Sequence, residues 1–329
     1  MEKKVFVTGA SGFTGSHLVR QLLERRYSVR ALVRQTSRTD ALADTRAEIV
    51  YGDLTDRSTL SGLLDGIDTV FHVAAAYRQE GVPRKHFFAV NVEGTRNLLE
   101  ESARAGVKRF VHCSTVGVQG EIRNPPAAEN APYQPGDEYQ ESKMQGEQLA
   151  LQCFKENRPP GVVVRPVGIY GPGDTRFLKL FRYIYNGKFR MLGKGDILYH
   201  LTYVDDLVMG MILCGEEDRA LGEVFTIGGE EYLPVRELVS LIAAILSRPV
   251  SMRRIPILPL RMAAFVCESV CRPLGIEPPI YRRRLDFFIK DRAFDISKAK
   301  RLLGYQPKVD LRTGLRLTAE WYQKEGLLD

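Results

Sequence analysis

The chain has 329 residues, of which 44% are hydrophobic and 26% charged, an ordinary globular composition that excludes a disordered chain. No apolar run reaches the ~18 residues of a membrane span, because Arg261 and Glu268 interrupt the best candidate at 255–276. We therefore expect no integral membrane contact. Residues 1–8 lack the apolar core of a signal peptide, so we expect no export.

Charge and cysteine content narrow the function further. The chain carries 47 basic and 40 acidic residues, a net charge of +7, but no basic stripe interleaved with aromatic residues, so we expect no nucleic-acid partner. Five scattered cysteines do not form an even disulfide set and indicate a reducing, cytoplasmic compartment. Cys267 and Cys271 are interpreted as core residues and not as metal ligands, because no histidine or further cysteine lies nearby. Small-molecule chemistry is the expected function.

The first half of the chain alternates short β-branched runs with helical apolar spacing. This alternation predicts strands joined by helical crossovers, and therefore an α/β fold with a doubly wound parallel sheet. The predicted strands are at residues 5–8, 29–33, 48–51, 69–73, 109–113 and 162–165. We expect residues 1–165 to form a dinucleotide-binding Rossmann domain. Residues 166–329 should form mainly a smaller substrate-binding lobe, discontinuous because segments near 202–208 and 223–229 return to the main sheet.

A glycine-rich turn, TGASGFTG, follows the first predicted strand and opens the first helix. Gly9, Gly12 and Gly15 stand where a tight turn, close approach to a pyrophosphate and close helix packing are needed. Ser11 and Phe13 complete the turn. This context predicts a dinucleotide site that includes these five residues.

The end of the second strand indicates which dinucleotide is bound. An enzyme that binds NAD usually has an acidic residue there for the ribose 2′-hydroxyl, whereas this chain has Arg34. A guanidinium favours a 2′-phosphate, so we expect NADP, with NAD as the alternative if Arg34 is solvated or stacks on adenine. Asp53, after the third strand, is a candidate acceptor for the adenine amino group or else a turn residue.

Tyr139 and Lys143 are four residues apart on a predicted helix and so share one face. A phenol with a pKa of about 10 is a poor acid or base at neutral pH, and a neighbouring ammonium lowers that pKa by favouring the phenolate. The same lysine can hold a nicotinamide ribose. Tyr139 is therefore the expected proton donor or acceptor, although a solvated helix face is the alternative for this spacing alone.

Together these motifs resemble the extended short-chain dehydrogenase/reductases, in the group of NAD-dependent epimerase/dehydratases, 3β-hydroxysteroid dehydrogenases and dihydroflavonol reductases. The resemblance covers essentially the whole chain. It implies that Thr115 bonds the substrate oxygen, with Ser114 as its neighbour and substitute. It implies that Asn91 orients Lys143 or, alternatively, packs as a buried amide. The further matching motifs are GDL at 52–54, HVAA at 72–75, NVEGTRNLLE at 91–100, STVGVQG at 114–120, YQESK at 139–143, RPVGIYGPGD at 165–174 and TYVDDL at 202–207.

The resemblance also implies a set of cofactor contacts beyond the glycine turn, Arg34 and Asp53. His72, within the HVAA motif, is expected to be a packed, hydrogen-bonded residue and not a catalyst. The implied contacts are Leu54, Ala74, Ala75, Asn91, Tyr139, Lys143 and Pro166.

Departures from the family pattern separate its chemistries. Val116 and Gly117 follow Thr115 where 4,6-dehydratases carry an Asp-Glu pair, so elimination lacks its acid–base residues. Tyr199 stands where nucleotide-sugar enzymes tend to carry an arginine for the diphosphate. The arginine run at 282–284 would supply that charge or form a solvated helix face. The apolar segment at 258–274 is interpreted as lobe core, with a lipophilic pocket wall or a membrane-surface contact as alternatives.

We therefore expect a cytoplasmic NAD(P)-dependent oxidoreductase that moves a hydride between nicotinamide and a secondary alcohol or ketone, using Thr115, Tyr139 and Lys143. A nucleotide-diphosphate-sugar 4-epimerase that retains NAD and uses the same residues is the main alternative. A non-catalytic module that senses NADP or scaffolds a partner is a minor one. The expected partner is a small-molecule substrate, no metal is expected, and a homodimer is compatible with the sequence.

Overall fold

The structure is a computed structural model that describes residues 3–77, 82–271 and 282–329. The described strands divide into one large sheet and two small ones. In chain order they are β1 Lys4–Thr8, β2 Ser28–Val33, β3 Glu48–Tyr51, β4 Thr69–His72, β5 Arg109–Cys113, β6 Gly161–Pro166, β7 Gly168–Tyr170, β8 Met191–Leu192, β9 Leu198–Tyr203, β10 Val224–Ile227, β11 Tyr232–Pro234 and β12 Arg254–Ile255.

The large sheet has seven parallel strands in the order β10-β6-β5-β4-β1-β2-β3. This is the doubly wound parallel sheet that the sequence predicts. The strand order reverses between β1 and β4. In such sheets ligands bind in the crevice at the reversal, outside the carboxyl ends of the strands.

Helices cover both faces of the large sheet because its strands are apolar on both sides. Val5 and Val7 of β1 pack into one core, whereas Phe6 between them packs into the other. No helix among the described residues has the length and apolar character needed to cross a bilayer. The helices are α1 Phe13–Glu24, α2 Arg84–Phe88, α3 Gly94–Arg104, α4 Glu138–Lys155, α5 Leu178–Tyr185, α6 Val204–Glu216, α7 Val235–Ile245, α8 Ile257–Cys271, α9 Arg282–Ile289, α10 Ser297–Leu303 and α11 Leu311–Lys324.

The two predicted returns to the large sheet differ in kind. β10 pairs with β6 and forms an edge strand of that sheet. The prediction for residues 202–208 needs correction, because Thr202 and Tyr203 end β9, which pairs with β7 and β11 in a separate sheet, and residues 204–208 begin α6. It is the following helix, α6, that packs against β5 and β6. The division of the chain near residue 165 stays a prediction.

Helices α5, α7 and α11 build a second core around Phe181, Leu238 and Tyr322. The interpretation of the segment at 258–274 as lobe core is wrong for one side of α8. Met262 and Val266 are more than half exposed there, whereas Ala264 and Glu268 are buried, and the helix contacts α9. Residues 272–274 of the segment lie outside the described residues.

Candidate active site

A cavity of about 1490 Å³ lies at the carboxyl ends of the central strands and extends into the second core. Its volume exceeds the ~300–1,000 Å³ usual for a single small ligand, so it has room for two. All but one of the predicted site residues line this cavity: Gly9, Ser11, Gly12, Phe13, Gly15, Arg34, Asp53, Leu54, Ala74, Ala75, Ser114, Thr115, Tyr139, Lys143 and Pro166.

The glycine turn between β1 and α1 forms part of the cavity wall. Gly9 has φ +68°, which disfavours a side chain, and a Cβ there would lie 2.7 Å from the backbone nitrogen of Ala74. A Cβ at Gly15 would overlap the carbonyl oxygen of Gly9. Gly12 is the N-cap of α1 and provides no side-chain cap, so the first N–H groups of the helix remain available to a ligand. The turn therefore fits the phosphates of a dinucleotide.

Arg34 and Asp53 lie where β2 and β3 end. The exposed Arg34 side chain lines the cavity and forms no ion pair with any residue that the structure describes. Asp53 Oδ1 accepts hydrogen bonds from the N–H and the Oγ1 of Thr55, each at 2.8 Å. Partial burial acts to raise the pKa of Asp53, but these bonds and the charge of Arg34 outweigh it and lower that pKa. Oδ1 of Asp53 is thus occupied by hydrogen bonds within the turn, whereas the Arg34 guanidinium is available to an anion.

Two buried histidines lie side by side on β4 and β5. His72 bonds Thr8 Oγ1 at 2.8 Å and Thr95 Oγ1 at 3.0 Å, so it is a packed, hydrogen-bonded residue, as predicted. The His112 ring lies 5.4 Å from it, and neither His112 nitrogen has a hydrogen-bond partner among the described residues. Burial, and secondarily the charge of Lys143, lowers the pKa of His72 to about 3 and that of His112 well below its ordinary value. Both rings are therefore neutral at pH 7.

Tyr139 and Lys143 lie one turn apart on α4, and both line the cavity. The Asp137 side chain caps the start of this helix and so sets the turn that carries Tyr139. Lys143 is buried, and its Nζ donates a hydrogen bond to the Cys113 carbonyl at 2.7 Å. Burial lowers the pKa of Lys143, against opposing electrostatic contributions from Cys113 and Glu147. An ammonium group on the same helix face as a phenol favours the phenolate.

Two neighbouring hydroxyl groups after β5 have different partners. Ser114 is buried, and its Oγ donates a hydrogen bond to Glu147 Oε2 at 2.5 Å. Thr115 is half-buried, and its Oγ1 accepts the Gly117 N–H at 3.1 Å. This bond leaves the Thr115 O–H free to donate. Thr115 is therefore the hydroxyl that the geometry offers to a ligand.

Asn91 is the predicted site residue that lies outside the cavity lining. Its Nδ2 donates to Ser142 Oγ at 2.9 Å and to the Ala76 carbonyl at 3.1 Å, and its Oδ1 accepts the Ala76 N–H at 2.8 Å. None of these bonds reaches Lys143, so the prediction that Asn91 orients Lys143 is not met. The buried packing amide is the role that fits, because Asn91 ties the segment after β4 to α4.

Sequence reasoning missed a buried ion pair behind the site. Glu147 Oε1 lies 2.5 Å from Arg165 Nη2, and both side chains are almost inaccessible to solvent. Glu147 also accepts a hydrogen bond from Tyr133 Oη at 2.6 Å. Arg165 begins the RPVGIYGPGD motif, but a single arginine on a strand does not reveal which helix carries its partner.

Aromatic side chains line the part of the cavity that extends into the second core, which we call the far end of the cavity. Tyr199 lines it within an aromatic cluster, with its ring centroid 4.9 Å from that of Phe287 and 6.2 Å from that of Phe177. Tyr183 and Phe288 also line this end. Nucleotide-sugar enzymes tend to carry a diphosphate-binding arginine at the position of Tyr199. In this chain that position contributes an apolar ring face instead.

Cations at the same end were also missed, because they come from separate segments with no common motif. Lys179, Lys188, Arg190 and Arg292 line the cavity, and none forms an ion pair with a described residue. Arg176, by contrast, is paired with Asp174, with 2.5 Å between Nε and Oδ1. The side chains of the arginine run at 282–284 lie outside the part of the chain that the structure describes.

The chain is similar in sequence and in structure to known proteins. The sequence profile of the NAD dependent epimerase/dehydratase family matches residues 5–228. A 3 beta-hydroxysteroid dehydrogenase/Delta 5-->4-isomerase from Mycobacterium tuberculosis is 32% identical over 97% of this chain and 90% of its own. A putative dihydroflavonol 4-reductase from Synechocystis sp. is 31% identical over 98% of this chain and 95% of its own. The crystal structure of a UDP-glucose 4-epimerase from Thermotoga maritima with UDP-glucose is similar with a TM-score of 0.79 and 25% identity, covering 98% of this chain and 99% of that one.

Proposed function

Because the chain belongs to the NAD-dependent epimerase/dehydratase family, within the extended short-chain dehydrogenase/reductases, we propose that it is an NADP-preferring oxidoreductase that interconverts a cyclic or aryl secondary alcohol and the corresponding ketone. One observation carries this proposal. Tyr139 and Lys143, one turn apart on α4, line the same cavity as the glycine turn at 9–15. The site thus joins an acid–base pair to a dinucleotide cradle.

The residues near the glycine turn fit a nicotinamide dinucleotide. Gly9, Gly12 and the uncapped start of α1 would hold the pyrophosphate. Ala74 and Ala75 line the cavity with small side chains that permit close approach of a ribose or phosphate. When bound, the cofactor supplies or accepts the hydride at its nicotinamide ring.

Tyr139 is proposed to give its proton to the substrate oxygen during ketone reduction and to remove the hydroxyl proton during alcohol oxidation. Lys143 favours the phenolate of Tyr139, and its bond to the Cys113 carbonyl holds the ammonium group in place. Thr115 would donate a second hydrogen bond to the same substrate oxygen. The developing negative charge then meets donors that are already positioned, which lowers the barrier without reorganising solvent.

The preference for NADP rests on Arg34. Its guanidinium lines the cavity after β2 and is not neutralised by an ion pair with any described residue. A 2′-phosphate would accept charge-assisted hydrogen bonds from this guanidinium. A ribose 2′-hydroxyl is neutral and would form no ion pair with it. Arg34 therefore favours the phosphorylated dinucleotide.

The proposed substrate class rests on the aromatic far end of the cavity. Tyr199, Phe287 and Phe288 present ring faces that suit a fused or aryl ring system. Two similar proteins are named as a hydroxysteroid dehydrogenase and a putative dihydroflavonol reductase, which is consistent with a ring-borne hydroxyl or ketone.

A second candidate, a nucleotide-diphosphate-sugar 4-epimerase, is favoured by one observation. Lys188, Arg190 and Arg292 line the far end without ion pairs among the described residues, and such cations suit a diphosphate. The UDP-glucose 4-epimerase that this chain resembles binds such a ligand. An epimerase must return the hydride to the same molecule, so it would retain its cofactor and produce no net redox change.

The fate of the hydride tests the proposal. Purified protein is incubated with NADPH or NADP and a panel of cyclic and aryl ketones and alcohols, and nicotinamide absorbance is followed. We expect net absorbance change with members of this panel, and neither absorbance change nor C4-epimer with UDP- or GDP-hexoses. Formation of a C4-epimer with no cofactor added would replace the oxidoreductase with the epimerase. Tight NADP binding without turnover of any carbonyl substrate or nucleotide sugar would favour a non-catalytic NADP-sensing module.

A further inference from the structure

Helix α8 differs from an ordinary surface helix, because several of its apolar side chains are exposed and its acidic residue is buried. Leu258, Met262, Val266 and Val270, which we call the α8 outer face, are spaced four residues apart and are 64%, 64%, 59% and 55% exposed. Glu268, the acidic residue of this helix, is 5% exposed. A surface helix normally buries its apolar stripe and exposes its charges. The α8 outer face therefore requires an apolar neighbour beyond the part of the chain that the structure describes.

The charges beside the α8 outer face are positive. Arg253 and Arg254 precede the helix, Arg261 lies within its first half, and all three are exposed. None of them forms an ion pair with a described residue. In residues 249–271 the one acidic residue is Glu268, which is buried. An apolar stripe bordered by arginines complements an anionic lipid surface, with acyl chains below and phosphates above.

A second copy of this chain suits the surface less well. A two-fold contact would place the same patch on both sides, and would bring Arg253, Arg254 and Arg261 towards their own equivalents with no exposed acid between them. The 15 residues of α8 are also fewer than the ~20 that span a bilayer, so the helix would lie in the plane of the interface.

We propose that the α8 outer face docks on the surface of an anionic phospholipid bilayer, with Arg253, Arg254 and Arg261 at the level of the headgroups. The four apolar side chains of the outer face enter the boundary between headgroups and acyl chains. The arginines add electrostatic attraction that weakens as salt is raised.

This docking would bring the far end of the cavity close to lipid. β12 pairs with β8, whose Leu192 lines the cavity, and α8 packs against α9, whose Phe288 also lines it. A lipophilic alcohol or ketone dissolved in the bilayer would then reach the site without crossing water. This consequence rests on the proposed function, whereas docking itself does not.

Vesicle co-sedimentation of the full chain tests the docking. The vesicles are phosphatidylcholine alone, or phosphatidylcholine mixed equally with phosphatidylglycerol. We expect partition into the mixed vesicles, weaker partition into phosphatidylcholine, and loss at high salt. Met262→Glu with Val266→Glu should lower the partition coefficient by more than about tenfold. Replacing Arg253, Arg254 and Arg261 by glutamine should lower it by roughly fivefold for each arginine.

The control for the Met262/Val266 variant also replaces two exposed apolar residues by glutamate, but at positions outside the α8 outer face. Ile49 and Leu221 are 37% and 39% exposed on other elements, and Ile49→Glu with Leu221→Glu should bind vesicles as the wild type does. Equal partition of the Met262/Val266 variant and this control would overturn the proposal, as would no vesicle binding by the wild type. If the Met262/Val266 variant does not fold, as judged by thermal unfolding, the variant in which the three arginines are replaced by glutamine decides.

Light scattering measures whether the protein is a monomer or a dimer, and so tests whether the α8 outer face binds a second copy of the chain. A wild-type dimer that the Met262/Val266 variant converts to monomers, with no vesicle binding, would make the α8 outer face a self-interface and overturn the proposal. Titration with NADPH and the turnover panel are run on the same samples without vesicles. A failure of docking that leaves NADPH binding and turnover intact would be distinguishable from a failure of the proposed function.

Discussion

The Ser114 hydroxyl donates a hydrogen bond to the buried carboxylate of Glu147, which forms an ion pair with Arg165. This bond separates the roles of two adjacent hydroxyl groups. Ser114 belongs to a buried polar network that holds β5 and β6 against α4. Thr115, the next residue, lines the cavity and keeps a hydroxyl proton to donate.

Thr115→Val should lower kcat by about 10²–10³-fold, as expected when one donor to a developing oxyanion is removed. Thr115→Ser retains the hydroxyl and should retain most of the activity. Ser114→Ala should instead lower the free energy of unfolding by about 1–3 kcal/mol, because Glu147 loses a buried donor. Steady-state kinetics and urea unfolding of the three variants measure these effects. The roles are reversed if Ser114→Ala loses turnover and Thr115→Val does not.

Tyr139→Phe should lower turnover by about 10²–10⁴-fold, because the substrate oxygen loses its proton donor and acceptor. NADPH affinity should be nearly unchanged, since the ring that packs against Tyr77 is kept. Tyr183→Phe is the matched control, because it removes the phenol of another tyrosine that lines the same cavity. Retention of more than half the wild-type rate by Tyr139→Phe, with the chemical step limiting, would exclude Tyr139 as the acid–base residue.

Arg34→Asp should reverse the cofactor preference. The variant loses the partner of the 2′-phosphate and places a carboxylate against it, so NADPH affinity should fall by about ten- to a hundredfold while NADH affinity is kept or rises. Calorimetric titration of both cofactors measures the change. Arg38→Asp alters an arginine four residues away that is paired with Asp40, and should leave both affinities nearly unchanged. Equal NADPH and NADH affinities in the wild type would contradict the proposed preference.

The buried histidines predict a loss of stability in acid. The pKa of His72 is lowered to about 3 in the folded state, and that of His112 is also well below its ordinary value. Between the ordinary histidine pKa of about 6.5 and these lowered values, the unfolded chain binds protons that the folded chain does not. The free energy of unfolding should therefore fall as the pH drops below 6.5, by about 1 kcal/mol per pH unit for each histidine.

His112→Leu should reduce this acid slope at little cost at pH 7.5, because neither ring nitrogen of His112 has a partner to lose among the described residues. Urea unfolding at a series of pH values measures the slope. A His112→Leu variant with the wild-type slope would show that this ring gains its proton in the folded state.

The sequence by itself determined the features that depend on short-range geometry. The spacing of Gly9, Gly12 and Gly15 predicted the turn, since the backbone at Gly9 disfavours a side chain whatever else surrounds it. The four-residue spacing of Tyr139 and Lys143 predicted a shared helix face, because helical periodicity alone places them together. The alternation of β-branched runs and helices likewise predicted the parallel sheet.

Only the tertiary structure decided which distant groups meet. It paired Arg165 with Glu147, directed Asn91 to Ser142 and not to Lys143, and placed β9 in a separate sheet. Nothing local encodes these choices, because a buried polar group takes whichever partner the packing of remote segments brings within reach. The exposure of the α8 outer face has the same origin. Periodicity marks α8 as apolar, but burial depends on whether another element covers that side.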